Sequence, residues 1–344
     1  MPALAVADAL AQRGASVFFV GGDRAERELV AEAGYELERL AVSGLDRRNP
    51  LKAARALAQS ALATARAGAL LRRRGTAAVL GAGGYVAGPV GLAAVALRIP
   101  LVLSEADSHL GLANRALAPL ARRVCLAFPL AGRTGPRYLV TGRAVPPLRA
   151  DRASARRALG VSGEEALVLV FGGSLGARSI NEAALAGLDG GAFRVLHVTG
   201  RRDWPELARR AHGPRYELRE YLSPPDFDAA LAACDLVVAR AGGSIFEVAA
   251  HGRPAILVPY PHATADHQSA NAAWMADAGA ALVIPDAELD AASLAGEVGR
   301  LLADAPRRAA MSRAALSLAR PDAAAAIAGE LLAACSGRRG EDAT

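Results

Sequence analysis

Between Asp235 and Ala272 the chain alternates short apolar runs with polar breaks, and that alternation leaves few folds open. In Asp235-Leu-Val-Val-Ala239 the four residues after the acid form an unbroken apolar run, the mark of a strand buried on both faces of a parallel sheet. A Gly242-Gly243 turn follows, and Ser244 opens a helix that ends near His251-Gly252. Pro254 blocks its continuation, a second strand spans Ala255 to Tyr260, and another helix begins at Asp266. A strand–turn–helix–strand–loop–helix unit of this kind belongs to an open, doubly wound α/β sheet. Ligands of such sheets sit beyond the carboxyl ends of the strands.

The residues at those ends suit a nucleotide sugar. A Gly-Gly turn lets a ligand approach the backbone, and the helix start behind it offers N–H groups to phosphate. Glu247, one turn into its helix, could accept hydrogen bonds from a ribose diol. His267, Gln268 and Asn271 crowd the start of the next helix, where amides could read sugar hydroxyls. Each has a plainer reading. Ser244-Ile-Phe-Glu247 is also a capping box, and the polar residues after Asp266 also suit an ordinary first turn.

The same strand–Gly turn–helix pattern recurs. Ala166 to Phe171 runs into Gly172-Gly-Ser-Leu-Gly-Ala177, and Ala77 to Leu80 runs into Gly81-Ala-Gly-Gly-Tyr-Val-Ala-Gly88-Pro89. The second turn also invites a dinucleotide reading with Glu105 as the ribose acid. Val86, however, stands where Gly-x-Gly-x-x-Gly needs its third glycine. Asp226-Phe-Asp228 has the spacing of a metal-binding acid pair, but it follows Pro224-Pro225 at a helix start, where acids are expected anyway.

Taken together, these stretches resemble glycosyltransferase family 28, the peptidoglycan N-acetylglucosaminyltransferases. The resemblance rests on Arg240-Ala-Gly242, Ser244, Glu247 and Asp266-His-Gln268-Ser-Ala-Asn271-Ala272, on Gly172 to Ala177, and on the Gly-Gly-Tyr-x-x-Gly-Pro loop at 83–89. Ser43-Gly-Leu with its basic loop also matches. Ser104-Glu105-Ala106-Asp107 keeps the family's Glu, with Asp107 for Asn, and Pro146 stands where the family has Arg.

The resemblance implies two doubly wound Rossmann-like domains facing a cleft, the GT-B arrangement. It implies transfer of N-acetylglucosamine from UDP-N-acetylglucosamine to a muramyl-pentapeptide on undecaprenyl pyrophosphate, with inversion and with no cofactor or metal required. It assigns the donor to Ser174, Leu222, Arg240, Gly242, Gly243, Ser244, Glu247, His267, Gln268 and Asn271. It assigns the acceptor diphosphate to Gly83, Gly84, Tyr85 and Asp107, with Glu105 as a candidate catalytic carboxylate; Arg143 or Arg149 stands close enough in sequence to replace the phosphate-facing Arg lost at Pro146. In the family a strand and a Gly-rich loop ending in the favoured base, a histidine, precede the first helix. Here Pro2 to Gln12 reads as that helix, so the strand and the base are expected upstream of Met1.

The expected domains are 1–141, carrying the acceptor side, and 154–320, carrying the donor side. A Pro-rich link at 142–153 joins them, a helix at 321–335 crosses back to the first, and 336–344 forms a polar tail. Composition agrees. A chain of 344 residues holds two domains, and a net charge of +6 suits an anionic partner. No basic run is interleaved with aromatics, which argues against nucleic acid. Cys125, Cys234 and Cys335 are scattered and odd in number, which argues for a reducing compartment and against a zinc site. The longest apolar run, Val86 to Leu97, is shorter than the ~20 residues of a membrane span. The resemblance implies an acceptor whose lipid tail stays in the bilayer, and Arg47, Arg48 and Arg72 to Arg74 lie in the same domain as the Val86–Ile99 apolar segment, so peripheral contact with the anionic, cytoplasmic membrane face is expected. Three other readings stay open: a sister enzyme with another lipid acceptor, a non-catalytic UDP-sugar binder, and a dinucleotide oxidoreductase.

Overall fold

The computed structural model describes residues 2–22, 26–40, 50–210, 212–263 and 266–341, with the side chains of 26–28, 50–58 and 337–341 left out. The basic loop at 43–49, with Arg47 and Arg48, lies outside the described residues. The chain divides into two compact units, 1–146 with 320–344, and 147–319.

The first unit holds α1 (Pro2–Ala11), β1 (Phe18–Gly21), α2 (Glu26–Glu32), β2 (Glu36–Arg39), α3 (Pro50–Arg73), β3 (Val79–Gly81), α4 (Gly84–Ala96), β4 (Leu101–Glu105), α5 (Leu112–Leu117), β5 (Arg123–Leu126) and β6 (Tyr138–Val140). Strands β3, β4, β5 and β6 pair in that order, all parallel, while β1 and β2 form a separate parallel pair. Leu101, Val102 and Leu103 of β4 are buried on both faces. The sequence pattern extends one helix from 110 to 121. Instead α5 stops at Leu117 and a 3-10 turn, Ala118–Leu120, follows, because Pro119 cannot continue an α-helical ladder.

The second unit holds α6 (Arg152–Ala158), β7 (Leu167–Phe171), α7 (Arg178–Leu188), β8 (Arg194–Val198), α8 (Trp204–Leu207), β9 (Tyr216–Arg219), α9 (Pro224–Ala233), β10 (Leu236–Ala239), α10 (Ile245–Ala250), β11 (Ala255–Leu257), α11 (His267–Asp277), β12 (Ala281–Val283), α12 (Ala291–Ala303) and α13 (Ala305–Leu318). Its six strands are all parallel in the order β12-β11-β10-β7-β8-β9. The chain therefore winds outward from β7 in one direction, returns to β10 beside β7, and winds outward in the other. The reversal point lies between β7 and β10, paired in register from Leu236 with Val168 to Ala239 with Phe171.

The last helix, α14 (Ala323–Glu341), belongs to the first unit. Ile327, Ala328, Leu331 and Ala334 pack with Ala5 and Val6 of α1, Val102 of β4 and Cys125 of β5. Arg123 donates to Glu330 at 3.0 Å, and Arg13 donates to the carbonyl of Ala325 at 3.0 Å. Helical backbone continues to Glu341, past the end at 335 that the sequence suggests and into the expected polar tail.

Candidate active site

In the second unit the reversal point puts two turns side by side at the carboxyl ends of β7 and β10. The turn after β7 is Gly172 to Ala177. Gly173 and Gly176 have φ of 91° and 88°, which L side chains rarely adopt. A Cβ on Gly176 would also stand 2.1 Å from the carbonyl oxygen of Thr199, so this loop packs directly against the end of β8. The backbone N–H groups of Arg201 and Arg202 donate to the carbonyls of Ser174 (3.2 Å) and Leu175 (3.3 Å). Ser174 is exposed at the tip, and Leu222 is half-buried on the loop between β9 and α9.

Beneath that loop lies a buried polar network that sequence reasoning does not find. Asn181 of α7 donates to the Thr199 carbonyl at 3.0 Å and to Asp203 at 2.9 Å. Those two acceptors fix the amide, so its Oδ1 faces His197 Nε2 at 2.9 Å as an acceptor. His197 therefore carries its proton on Nε2, and Nδ1 accepts from the Tyr216 hydroxyl at 2.9 Å. Burial drives the imidazole pKa down to about 3. Arg202 grips Asp203 with two hydrogen bonds, and the guanidinium holds that carboxyl below its usual range.

The turn after β10 carries the other predicted residues. Arg240 is buried and faces inward. Its Nη1 meets the carbonyls of Val258 and Pro259 at 3.1 Å each and Asp286 at 2.6 Å, its Nη2 donates to Ser179 at 2.9 Å, and the guanidinium lies 5.4 Å from the Tyr260 ring centre. Arg240 thus supports the turn from below, binding the ends of β10 and β11 to α7 and to Asp286. Ser179 and Asp286, both absent from the sequence-predicted set, complete this support, with 2.6 Å between them. Gly242 and Gly243 are half-exposed above it. Ser244 sits at the N-cap of α10 without any side-chain cap bond, so it does not make the capping-box contact that its spacing allows. Glu247 is half-buried one turn on.

At the start of α11, Gln268 Oε1 accepts from the Tyr260 N–H at 3.0 Å, and Asn271 donates to the Ala241 carbonyl at 2.9 Å. Asn271 is 2% exposed, and its Oδ1 is buried without a hydrogen bond. His267 is half-buried beside them. The structure thus gathers Arg240, Gly242, Gly243, Gln268 and Asn271 at one turn.

In the first unit the loop before α4 uses Gly83 and Gly84 at φ 85° and 78°, and Tyr85 projects with 61% exposure. No side chain caps this helix start. Beside it, Glu105 ends β4 almost wholly buried. Its Oε1 accepts from the Asp107 N–H at 3.2 Å, and its Oε2 accepts from the Gly111 N–H at 2.8 Å and from Asn114 at 3.0 Å. Arg143 donates to the carbonyl of Ala106 at 3.2 Å, holding the same loop from the other side. Asn114 is the residue that sequence reading missed here. It is 1% exposed, its Oδ1 has no hydrogen bond, and a Cβ on Gly83 would lie 4.0 Å from its Nδ2. Its isolated place on a short helix gives no local signal.

Among the described residues no three His, Cys, Asp or Glu side chains form a metal-holding group, and no helix is long and apolar enough to cross a membrane. Asp226 accepts from the Ser223 hydroxyl at 2.6 Å and Asp228 turns toward His251, so the two acids of the 226–228 stretch do not act as a pair.

The chain matches the profiles of the glycosyltransferase family 28 N-terminal domain over residues 1–126 and C-terminal domain over residues 167–327. It is 43% identical to the UDP-N-acetylglucosamine–N-acetylmuramyl-(pentapeptide) pyrophosphoryl-undecaprenol N-acetylglucosamine transferase of Rubrobacter xylanophilus, over 97% of this chain and 99% of that one. Among solved structures, MurG of Acinetobacter baumannii superposes with a TM-score of 0.76 at 28% identity, over 96% of this chain and 95% of that one. The calicheamicin glycosyltransferase CalG4 shares the fold with a TM-score of 0.68 at 18% identity, over 97% of this chain and 94% of that one. Two Rossmann-like units, Gly-rich turns at their strand ends and full-length kinship converge: the chain belongs to glycosyltransferase family 28.

Proposed function

We infer that the chain is an inverting N-acetylglucosaminyltransferase of peptidoglycan synthesis. It takes UDP-N-acetylglucosamine as donor and undecaprenyl-pyrophosphoryl muramyl-pentapeptide as acceptor, and glycosylates the 4-hydroxyl. One observation carries this: the turns at Gly172–Ala177 and Arg240–Ser244 flank the point where the strand order of the second unit reverses, the place where open α/β sheets bind nucleotides. Its support is the near-full-length kinship to a transferase of that name.

The chain's own residues then divide the work. Ser174 and the backbone of its turn face the diphosphate, and Leu222 lies toward the base. Glu247 accepts from hydroxyls of the donor. Gln268 and Asn271 read the sugar, the buried Oδ1 of Asn271 supplying an acceptor still without a hydrogen-bond partner. N–H groups aimed at the departing UDP stabilise it as charge develops, and the scheme requires no cofactor. Gly83, Gly84 and Tyr85 face the acceptor diphosphate with Asp107 beside them. Glu105, with both oxygens already accepting N–H groups, shapes that loop.

Calorimetry with UDP-N-acetylglucosamine tests the donor side. Losing a hydrogen bond to a sugar hydroxyl costs about 1–3 kcal/mol, so Glu247→Ala should weaken binding about 5- to 150-fold. A folded variant that binds as tightly as the parent would remove Glu247 from the site. Turnover with the lipid acceptor separates the transferase from a UDP-sugar binder.

The acceptor's lipid places the first unit at the cytoplasmic membrane face as a peripheral protein. Leu62 on α3 and Leu92 on α4 are exposed at 53% and 45%, on helices packed against each other. Arg66, Arg72 and Arg98 add positive charge, whereas Arg73 and Arg74 are engaged with Glu36 and Glu38. Flotation with anionic vesicles should carry the protein at low salt and lose it at high salt. Absence of binding at low salt would refute the membrane contact.

A further inference from the structure

The acid pair at 226–228 has a use other than metal binding. Asp228, on α9, turns its carboxylate to three donors on two other segments. Its Oδ2 accepts from the backbone N–H groups of Arg149 (3.0 Å) and Ala150 (2.8 Å), and its Oδ1 accepts from His251 Nε2 at 2.9 Å. The side chains of His251 and Asp228 are 6% and 17% exposed, so the contact is shielded from water. Burial, with the charge of Arg253, holds the His251 pKa below its ordinary value despite the Asp228 carboxylate, which leaves a neutral ring whose Nε2–H is the donor.

The three segments are the ones that matter for the donor turn. Arg149 and Ala150 belong to the stretch that leads into the second unit just after Pro146 and Pro147. His251 is the C-cap of α10, the helix that carries Glu247 and follows Ser244. That helix has only six residues, far below the ~12–15 needed for a helix to stand by itself, so its placement comes from tertiary contacts. Ile245, Phe246, Val248, Ala249 and Ala250 supply buried apolar contacts, which resist sliding weakly. His251 supplies a directional polar contact at its far end. Asp228 is also the acceptor that two backbone N–H groups would otherwise lack.

We propose that Asp228 and His251 are positioning residues for donor binding: together they pin α10 to the lead-in segment at 149–150 and so fix where Glu247 and Ser244 stand at the donor turn. This rests on the reading of that turn as the UDP-N-acetylglucosamine site. Neither residue touches the reacting atoms, so their loss should act on donor affinity and not on the chemical step.

The test compares His251→Ala, His251→Gln and Asp228→Ala with the parent. The glutamine amide reaches about as far as Nε2 and keeps an N–H donor, so His251→Gln serves as the rescue and remains informative if Asp228→Ala does not fold. Losing one hydrogen bond predicts that His251→Ala raises KM for UDP-N-acetylglucosamine about 2- to 10-fold with kcat within about twofold, and that His251→Gln restores KM. Amide exchange on the ligand-free protein should quicken across 245–250 in His251→Ala, with β7 and β8 unchanged. Unchanged exchange and KM in His251→Ala, or a fall in kcat at constant KM, would overturn the proposal. A parent protein that fails to bind UDP-N-acetylglucosamine would sink the donor-site reading instead, and the exchange experiment would still decide whether the pair positions α10.

Discussion

His197 is buried on β8 with both ring nitrogens satisfied, and burial lowers its pKa to about 3, so the folded protein keeps it neutral through mild acid. The unfolded chain takes up this proton below its ordinary pKa of about 6.5, while the folded one refuses it until about pH 3. The contribution to stability is therefore complete above pH 6.5 and is lost as pH falls through that window, at about 1.4 kcal/mol per pH unit. Urea midpoints measured from pH 7 to pH 4 should show this slope, and His197→Gln, which keeps two polar contacts but cannot titrate, should flatten it. Glu105 presents the opposite case, a carboxylate whose work is to accept. Glu105→Ala leaves the N–H groups of Asp107 and Gly111 and the amide of Asn114 without their acceptor, and should cost about 3 kcal/mol in chemical denaturation. If Glu105→Gln instead abolished turnover at unchanged stability, the residue would be the catalytic base and not a shaper of its loop.

At the scale of the element, the turns decide the outcome. Gly176→Ala would force a Cβ to 2.1 Å from a backbone oxygen at a φ of 88°, and neither the loop nor β8 can give way cheaply. It should destabilise the second unit by about 3 kcal/mol or more and weaken UDP-N-acetylglucosamine binding in calorimetry. The turns at 83–84 and 172–177 were legible in the sequence because their demand is local: Gly83, Gly84, Gly173 and Gly176 take positive φ, and Gly172 and Gly176 meet backbone too closely for a Cβ. Strand β7 and strand β10 were legible for the same reason, being short unbroken apolar runs. The supports beneath the turns were not. Arg240 meets Asp286 and Ser179 from 46 and 61 residues away, and nothing in the neighbourhood of any of the three announces the others. Asp228 gave no local sign of its partners, because acids near a helix start look alike, whether they bind a metal, cap the helix or, as here, hold a backbone segment. Strand β6 has only three residues and is half open to solvent, too short for an alternation to show.

On the scale of the whole molecule, the first unit is discontinuous in sequence and the second is not. Helix α14 fills the space against α1, β4 and β5, and burying Ile327 and Leu331 alone contributes about 3–6 kcal/mol. A domain's whole stability is about 5–15 kcal/mol, so a chain cut after Ala319 should lose cooperative folding of its first unit. Amide exchange would then show residues 2–146 unprotected, with the strands of 147–319 still protected; full protection of β4 and β5 would contradict this. The same helix bears on how the protein is made. A ribosome reading at about 5–20 residues per second needs about 10–40 s to go from Pro146 to the end of α14. Throughout that interval the apolar edge formed by Val6, Val102 and Cys125 lacks the helix that covers it. The unit that begins first in translation is therefore completed only after the other, once α14 has emerged.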